Sequence, residues 1–279
     1  MTKRLGFLPL LLTVMLAACS GEDAAPAADA TPATPAPAAA SAEPAPAADP
    51  APGADAEAAA ASADEDAAAA SAEATTETAR PAPQPPEGPA PQPGTDYAEI
   101  PNGQPYQPLD GKIEVVEVFG YTCPACAQFE PQMAAWKRRQ PADVRVTPVA
   151  APFGGYWMPY ARAYYAAESM GLVDQTHQAV FEAIHLQRTL PVQNATPQAI
   201  GEFYAGYGAD AGQFASTMES FAVAGKLKRA EAFINRAGVD STPTMVVNGK
   251  YRVLGPKPFD EVLRIVDHLV ARERAAMQP

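Results

Sequence analysis

Residues 113–126 read Ile-Glu-Val-Val-Glu-Val-Phe-Gly-Tyr-Thr-Cys-Pro-Ala-Cys, and the change of pattern inside this stretch decides the fold. Ile113 to Phe119 is a valine-rich strand pattern flanked by Asp110-Gly111 and Gly120. Cys123 to Gln140 reads as a helix with Pro124 in its first turn, where the missing N–H costs nothing. Val144 to Val149 is a second strand, so strand, helix and strand follow one another and imply a parallel crossover. Working outward, Tyr156 to Ala237 reads as four or five amphipathic helices broken at Gly171, Pro191, Pro197, Gly208 and Gly225. Strand signals return at Thr244 to Val247, and Asn248-Gly249 makes a hairpin turn into Tyr251 to Leu254. A last helix runs from about Pro258 to Arg274. The predicted class is α/β: a β-α-β half, a helical insertion over about 154–238, then a β-β-α half.

The chemistry is carried by Cys123-Pro124-Ala125-Cys126, placed directly after a strand and opening a helix. A thiolate, not a thiol, attacks disulfides. The partial positive charge and free N–H groups of a helix N-terminus lower a thiol's pKa. Cys123 receives that field and is expected to be the exposed nucleophile, with Cys126, one turn later, as the resolving thiol. A structural disulfide or half of a zinc site would use the same spacing. Zinc needs about two further Cys or His ligands, and the only histidines, His177, His185 and His268, are distant and lack ligand spacing. No metal and no cofactor is expected.

Glu117 stands out by parity, because on its strand it shares a face with Ile113, Val115 and Phe119. A buried carboxylate is costly unless partnered or protonated, so Glu117 is either functional or near a solvated edge. Phe153, Tyr156, Trp157, Tyr160, Tyr164 and Tyr165 form an aromatic cluster at helical spacing, read as core packing or as the wall of a peptide groove.

The N-terminal third is of another kind. Lys3 and Arg4 precede an apolar run from Leu5 to Ala18, too short to span a bilayer comfortably and laid out as a secretory signal. Residues 20–96 contain 15 prolines, much alanine, 14 acids and a single base, Arg80. Such a segment cannot bury enough apolar area to offset its chain entropy, and it is read as a solvated tether over 19–96. The chain's net charge of -12 therefore belongs to the tether, since the remainder holds 18 acids against 19 bases. A nearly neutral folded part excludes a basic nucleic-acid-binding module.

Two resemblances follow from these residues. Leu16-Ala17-Ala18-Cys19 matches the lipobox of bacterial lipoproteins, which implies removal of residues 1–18 and acylation of Cys19, giving a stable anchor. Ser20 in place of an aspartate favours the outer over the inner membrane. Cys123 and Cys126 then remain as a pair in an oxidising compartment. Second, Tyr97 to about Arg274 resembles the DsbA-like thiol:disulfide oxidoreductases of the thioredoxin superfamily. The resemblance rests on VVEVFGYTCPACAQFEP, the helical insertion and the stretch Val239-Asp240-Ser241-Thr242-Pro243-Thr244-Met245-Val246-Val247-Asn248-Gly249-Lys250-Tyr251.

That resemblance implies a monomeric periplasmic enzyme with a redox-active Cys123–Cys126 disulfide. It would oxidise reduced or unfolded exported proteins and be reoxidised by a quinone-linked membrane oxidase of the DsbB type. It also implies that Thr242-Pro243 is a cis-proline loop pairing with extended substrate, where the residues alone allow an ordinary strand-leading turn. It places Glu117 beneath the cysteines, where it manages the proton of the buried thiol, with Pro124 and Ala125 tuning the pair. Two departures stand out: family members often carry Pro-His between the cysteines, and many pair the buried acid with a lysine where this chain has Pro148. A disulfide reductase or isomerase is the enzymatic alternative, and a chaperone-like module with a structural disulfide the non-enzymatic one.

Overall fold

The computed structural model describes residues 81–278. The signal segment, Cys19 and the tether up to residue 80 lie outside the described residues.

In chain order the elements are β1 (Tyr97–Glu99), β2 (Ile113–Phe119), α1 (Pro124–Arg138), β3 (Val144–Ala150), α2 (Met158–Ser169), α3 (Val173–His185), α4 (Pro197–Ala205), α5 (Ala211–Met218), α6 (Phe221–Ala237), β4 (Thr244–Val247), β5 (Tyr251–Val253) and α7 (Phe259–Met277). The five strands form one sheet in the order β1-β5-β4-β2-β3. β2 and β3 are parallel, as a strand–helix–strand crossover requires, while β4, β5 and β1 are antiparallel to their neighbours. The two halves of a thioredoxin fold thus flank a helical insertion, α2 to α6.

β2 is central and buried along its whole length, because each face of the sheet carries its own apolar layer. Ile113 and Val115 pack with Phe129, Met133 and Trp136 of α1 and with Leu263, Val266 and Leu269 of α7. Val116 and Val118 face the insertion and meet residues such as Tyr164, Phe181 and Phe233. Phe119 joins this second layer rather than the face of Ile113 and Val115, so the alternation breaks at the strand's end, where Gly120 follows. A Cβ at Gly120 would overlap the Trp157 ring, so this loop can lie against the indole only without a side chain.

Local chemistry sets the helix ends. Thr196, Asp210 and Ser220 cap α4, α5 and α6 by accepting the N–H of the third residue on, and Gly238 ends α6 with φ of 64°. Gly225 does not break a helix, contrary to the sequence expectation. α6 runs through it, because the cap at Ser220 and the buried positions Val223, Leu227 and Ala230 carry the helix across. The Asn248-Gly249 turn places both residues at positive φ, 50° and 64°, with the Lys250 N–H donating to the Val247 carbonyl at 2.8 Å.

β1 was not legible in the sequence. It is three residues long and is fixed by pairing with β5, Tyr97 opposite Val253. Ahead of it the chain already makes defined contacts, within the stretch read as tether. Lys257 reaches Asp96 at 3.0 Å, the Arg264 guanidinium donates to the Pro89 carbonyl, and His268 Nε2 donates to the Glu87 carbonyl at 3.1 Å. Residues 81–88 run beside α7 and the C-terminal half of α1, near Trp136 and Arg139.

A buried polar network also escaped the sequence reading. Glu114 is fully buried, and its carboxylate accepts from the Tyr106 N–H at 2.6 Å, Arg145 at 3.1 Å and the Thr147 hydroxyl at 3.2 Å. The Glu114 N–H donates to Asn248, whose amide donates to Glu273, which Lys250 also reaches at 2.7 Å. Burial works against the Glu273 charge, but the Lys250 and Asn248 contacts hold its carboxyl below the usual range. The network ties the loop before β2 to the turn after β4.

Candidate active site

The strand-to-helix junction puts Cys123 at the N-cap of α1 and Pro124 at the first helical position. Cys123 takes the place usually held by a serine or aspartate oxygen, since its Sγ accepts the Cys126 N–H at 3.2 Å. The helix start therefore points its free donors at this sulfur. Both cysteines are free thiols.

The two thiols are driven apart by their surroundings. Cys123 is brought down from an ordinary 9.0 to about 6, first by the hydrogen bond from the Cys126 thiol, then by the Thr242 side chain and the N–H groups of Cys126 and Ala125, against the effect of burial. Cys126 is pushed far up, by burial first and then by donating to a neighbouring sulfur that holds the negative charge. One thiol is a thiolate near neutral pH and its neighbour is a held proton.

Cys123 is less open than the sequence predicts. It is 6% exposed against 0% for Cys126, because capping turns its Sγ inward over α1 and the Thr242 carbonyl lies 3.5 Å away. That carbonyl can accept only while Cys123 is protonated, so the thiolate leaves a carbonyl facing the sulfur. The Thr242–Pro243 peptide is cis and immediately precedes β4, which brings this loop to the helix start.

Glu117 is buried, and its strand register sets it opposite Pro148, which offers no cation. Burial foremost, then the charge of Glu130 and that of Cys123, raises its carboxyl well above the usual range, with Lys137 acting in the opposite sense. A cleft of about 560 Å³ between α1 and α3 reaches Glu117 and Glu130.

Several site residues were missed. Glu130 follows Cys126 by four residues on the same buried face of α1, a spacing that could have singled it out. Tyr121, two residues before Cys123, is held by two histidines of α3. Its hydroxyl meets His177 Nδ1 at 2.9 Å, and its carbonyl accepts from His185 Nε2 at 2.7 Å. No sequence signal links α3 to this loop. Of the aromatic cluster, Tyr160, Tyr164 and Tyr165 are core residues, whereas Phe153 and Tyr156 are exposed. Among the described residues no group of three His, Cys, Asp or Glu side chains is arranged to hold a metal, and no helix is long and apolar enough to cross a membrane.

Comparison with known proteins agrees with this geometry. A thioredoxin family model matches residues 109–268. The thiol:disulfide interchange protein DsbA of Pseudomonas aeruginosa is 42% identical over 189 residues, covering 66% of this chain and 86% of that protein. The DsbA of Azotobacter vinelandii is 40% identical over 186 residues, covering 66% and 85%. Among solved structures, the oxidoreductase DsbA of Xylella fastidiosa superposes with a TM-score of 0.65 at 50% identity, covering 66% of this chain and 98% of that one. P. aeruginosa DsbA superposes with a TM-score of 0.61 at 40% identity, covering 67% and 96%. Similarity of that extent, on the same sheet and the same helical insertion, means that the chain belongs to the DsbA family of thiol:disulfide oxidoreductases in the thioredoxin superfamily.

Proposed function

We propose that this chain is a periplasmic, membrane-tethered dithiol oxidase that introduces disulfide bonds into exported proteins through Cys123-Pro124-Ala125-Cys126. The observation that carries the reading is the opposite polarisation of the two thiols, Cys123 toward thiolate and Cys126 toward thiol. A stabilised Cys123 thiolate favours the reduced enzyme, which makes its disulfide a good electron acceptor and Cys123 a good leaving group.

In the oxidised enzyme a substrate thiolate attacks Cys123 Sγ. The Cys123–Cys126 bond breaks, a mixed disulfide forms, and Cys126 takes up a proton. A second substrate thiolate attacks its own sulfur in the mixed disulfide, closing the substrate disulfide and expelling the Cys123 thiolate. The two electrons leave when a quinone-linked membrane oxidase of the DsbB type reoxidises the pair. The Thr242-Pro243 loop holds extended substrate backbone beside Cys123, Glu117 exchanges the Cys126 proton, and Pro124 and Ala125 set how much help the thiolate receives. The protein acts as a monomer, anchored by acylated Cys19 in the outer membrane.

The experiment is a pair of trapping variants. Cys126→Ser is expected to accumulate mixed disulfides on Cys123 in intact cells, and Cys123→Ser none. Equal trapping by both would overturn the assignment of roles, and a pair found reduced at steady state by thiol alkylation would make the enzyme a reductase. For the anchor, the wild type is expected in the membrane fraction and Cys19→Ala is expected to remain unprocessed. An unacylated, soluble wild type would refute the tether.

A further inference from the structure

His177 lies between the two halves of the thiol chemistry. Its ring packs edge-on to Phe119, Tyr164 and Phe181, with centroids 4.8, 6.1 and 5.4 Å away, so its orientation is fixed. Nδ1 faces the Tyr121 hydroxyl at 2.9 Å, and Nε2 faces Glu130 Oε2 at 3.4 Å. Burial raises the Tyr121 phenol well above its ordinary value, so Tyr121 keeps its proton. A carboxylate can only accept, so the ring proton is assigned to Nε2, 3.4 Å from Glu130, which leaves Nδ1 to accept from Tyr121. Glu130 in turn shares a buried face of α1 with Cys126, lines the same cleft as Glu117, and its charge acts against ionisation of Glu117.

We propose that His177 is a positioning residue for disulfide exchange, holding the Glu130 carboxylate beside Glu117 so that its charge makes Glu117 a stronger base toward the Cys126 thiol. The proposal rests on the thiol-exchange reading above and adds a residue from the helical insertion to it. It gives a physical use to the replacement of a possible cation by Pro148 opposite Glu117. Lys137, on α1, favours the Glu117 charge, but it is half exposed and lies 4.0 Å from Asp174. From α1, Glu130 and the Cys123 sulfur oppose that charge. From α3, Asp174 and His177 line the cleft, β3 contributes Arg145 and Pro148, and Lys112 and Arg138 complete its charged lining. The cleft also gives Glu117 a route to solvent for the proton.

The step in question is resolution of a mixed disulfide. The Cys126 thiol passes its proton to the Glu117 carboxylate, and the Cys126 thiolate attacks Cys123 Sγ. The Cys123–Cys126 bond forms, the bond from Cys123 to the outer sulfur breaks, and that sulfur departs as a thiolate. Redox balance is internal, since one disulfide replaces another.

The test starts from wild-type protein carrying glutathione on Cys123 and follows glutathione release against pH. The wild type is expected to show a limb that Glu117→Gln abolishes. His177→Phe keeps the ring packing but loses both polar contacts. Without that contact the Glu130 carboxylate is no longer held beside Glu117, so its field there weakens, and the limb is expected to move to lower pH by about half a unit or more. Glu130→Gln should move it in the same direction, and the double variant no further than Glu130→Gln alone. An unchanged profile in His177→Phe, or a shift that adds to that of Glu130→Gln, overturns the proposal while leaving the exchange reading standing. A wild type that never releases glutathione overturns both, and that outcome is distinguishable because no profile exists in any variant.

Discussion

Replacing Cys126 by alanine in the reduced protein removes the first and largest of the contacts that hold Cys123 as a thiolate. Bringing Cys123 from 9.0 to about 6 corresponds to about 4 kcal/mol of preference for the thiolate. Four contacts share it: the Cys126 thiol, the Thr242 side chain, the Cys126 N–H and the Ala125 N–H. The two N–H groups belong to the helix start and survive the substitution. The Cys123 midpoint in Cys126→Ala is therefore expected to rise by about one unit or more, about 1.4 kcal/mol, without returning to 9. Cys126→Ser restores an O–H donor and should stay nearer the wild type. Thiolate absorbance at 240 nm followed from pH 4 to 10, or the rate of alkylation over the same range, reads the midpoint directly. The sign also fixes the stability of the reduced wild type. A depressed thiol pKa contributes stability that is complete above about 9 and is lost as pH falls through about 6. At pH 7 about 1.4 kcal/mol of it remains, worth about 30 mV toward a more oxidising disulfide. A wild-type midpoint above 8, or equal shifts in the alanine and serine variants, would refute the reasoning.

Two other outcomes follow from the same structure. Ala125→His places an imidazole beside the Cys123 sulfur, able to donate a hydrogen bond or carry positive charge, and is expected to lower the thiol further and raise the potential. The wild type should lie between about -270 and -120 mV and the variant above it in a glutathione redox titration; an unchanged or lower value means that this dipeptide does not set the poise. Glu114→Ala strips the partner from Arg145, Thr147 and the Tyr106 N–H, and should destabilise the fold by about 3–5 kcal/mol in urea denaturation. A loss below about 1 kcal/mol would show that the network is not strongly coupled.

The central strands and the catalytic helix were legible because their signals are local. A valine-rich run, a proline in the first turn and an Asn-Gly turn each act over a few residues, and they set β2, α1 and the β4–β5 hairpin within a residue or two. The cysteine pair was legible for the same reason, since a helix start polarises whichever thiol caps it. β1 was not, because three residues become a strand only when β5 is beside them. Glu114 was passed over because its neighbour Glu117 drew the parity argument, which presumed one buried face. β2 has two, and an acid on either must find partners that only the tertiary fold supplies. Tyr121, His177 and His185 escaped for the plainest reason: their contacts span 56 and 64 residues of chain.

The way the chain enters the domain has a practical side. Residues 81–88 run along α7 and past the C-terminal half of α1, whereas Cys123 caps the opposite end of that helix. The two ends of that fifteen-residue helix lie about 22 Å apart. Cargo joined directly at residue 81, such as a bead, a dye or a fused domain, starts from the end of α1 away from Cys123. That point is therefore the one to choose for immobilising this enzyme, because a surface-bound layer of it would present its reactive sulfurs outward to the bath.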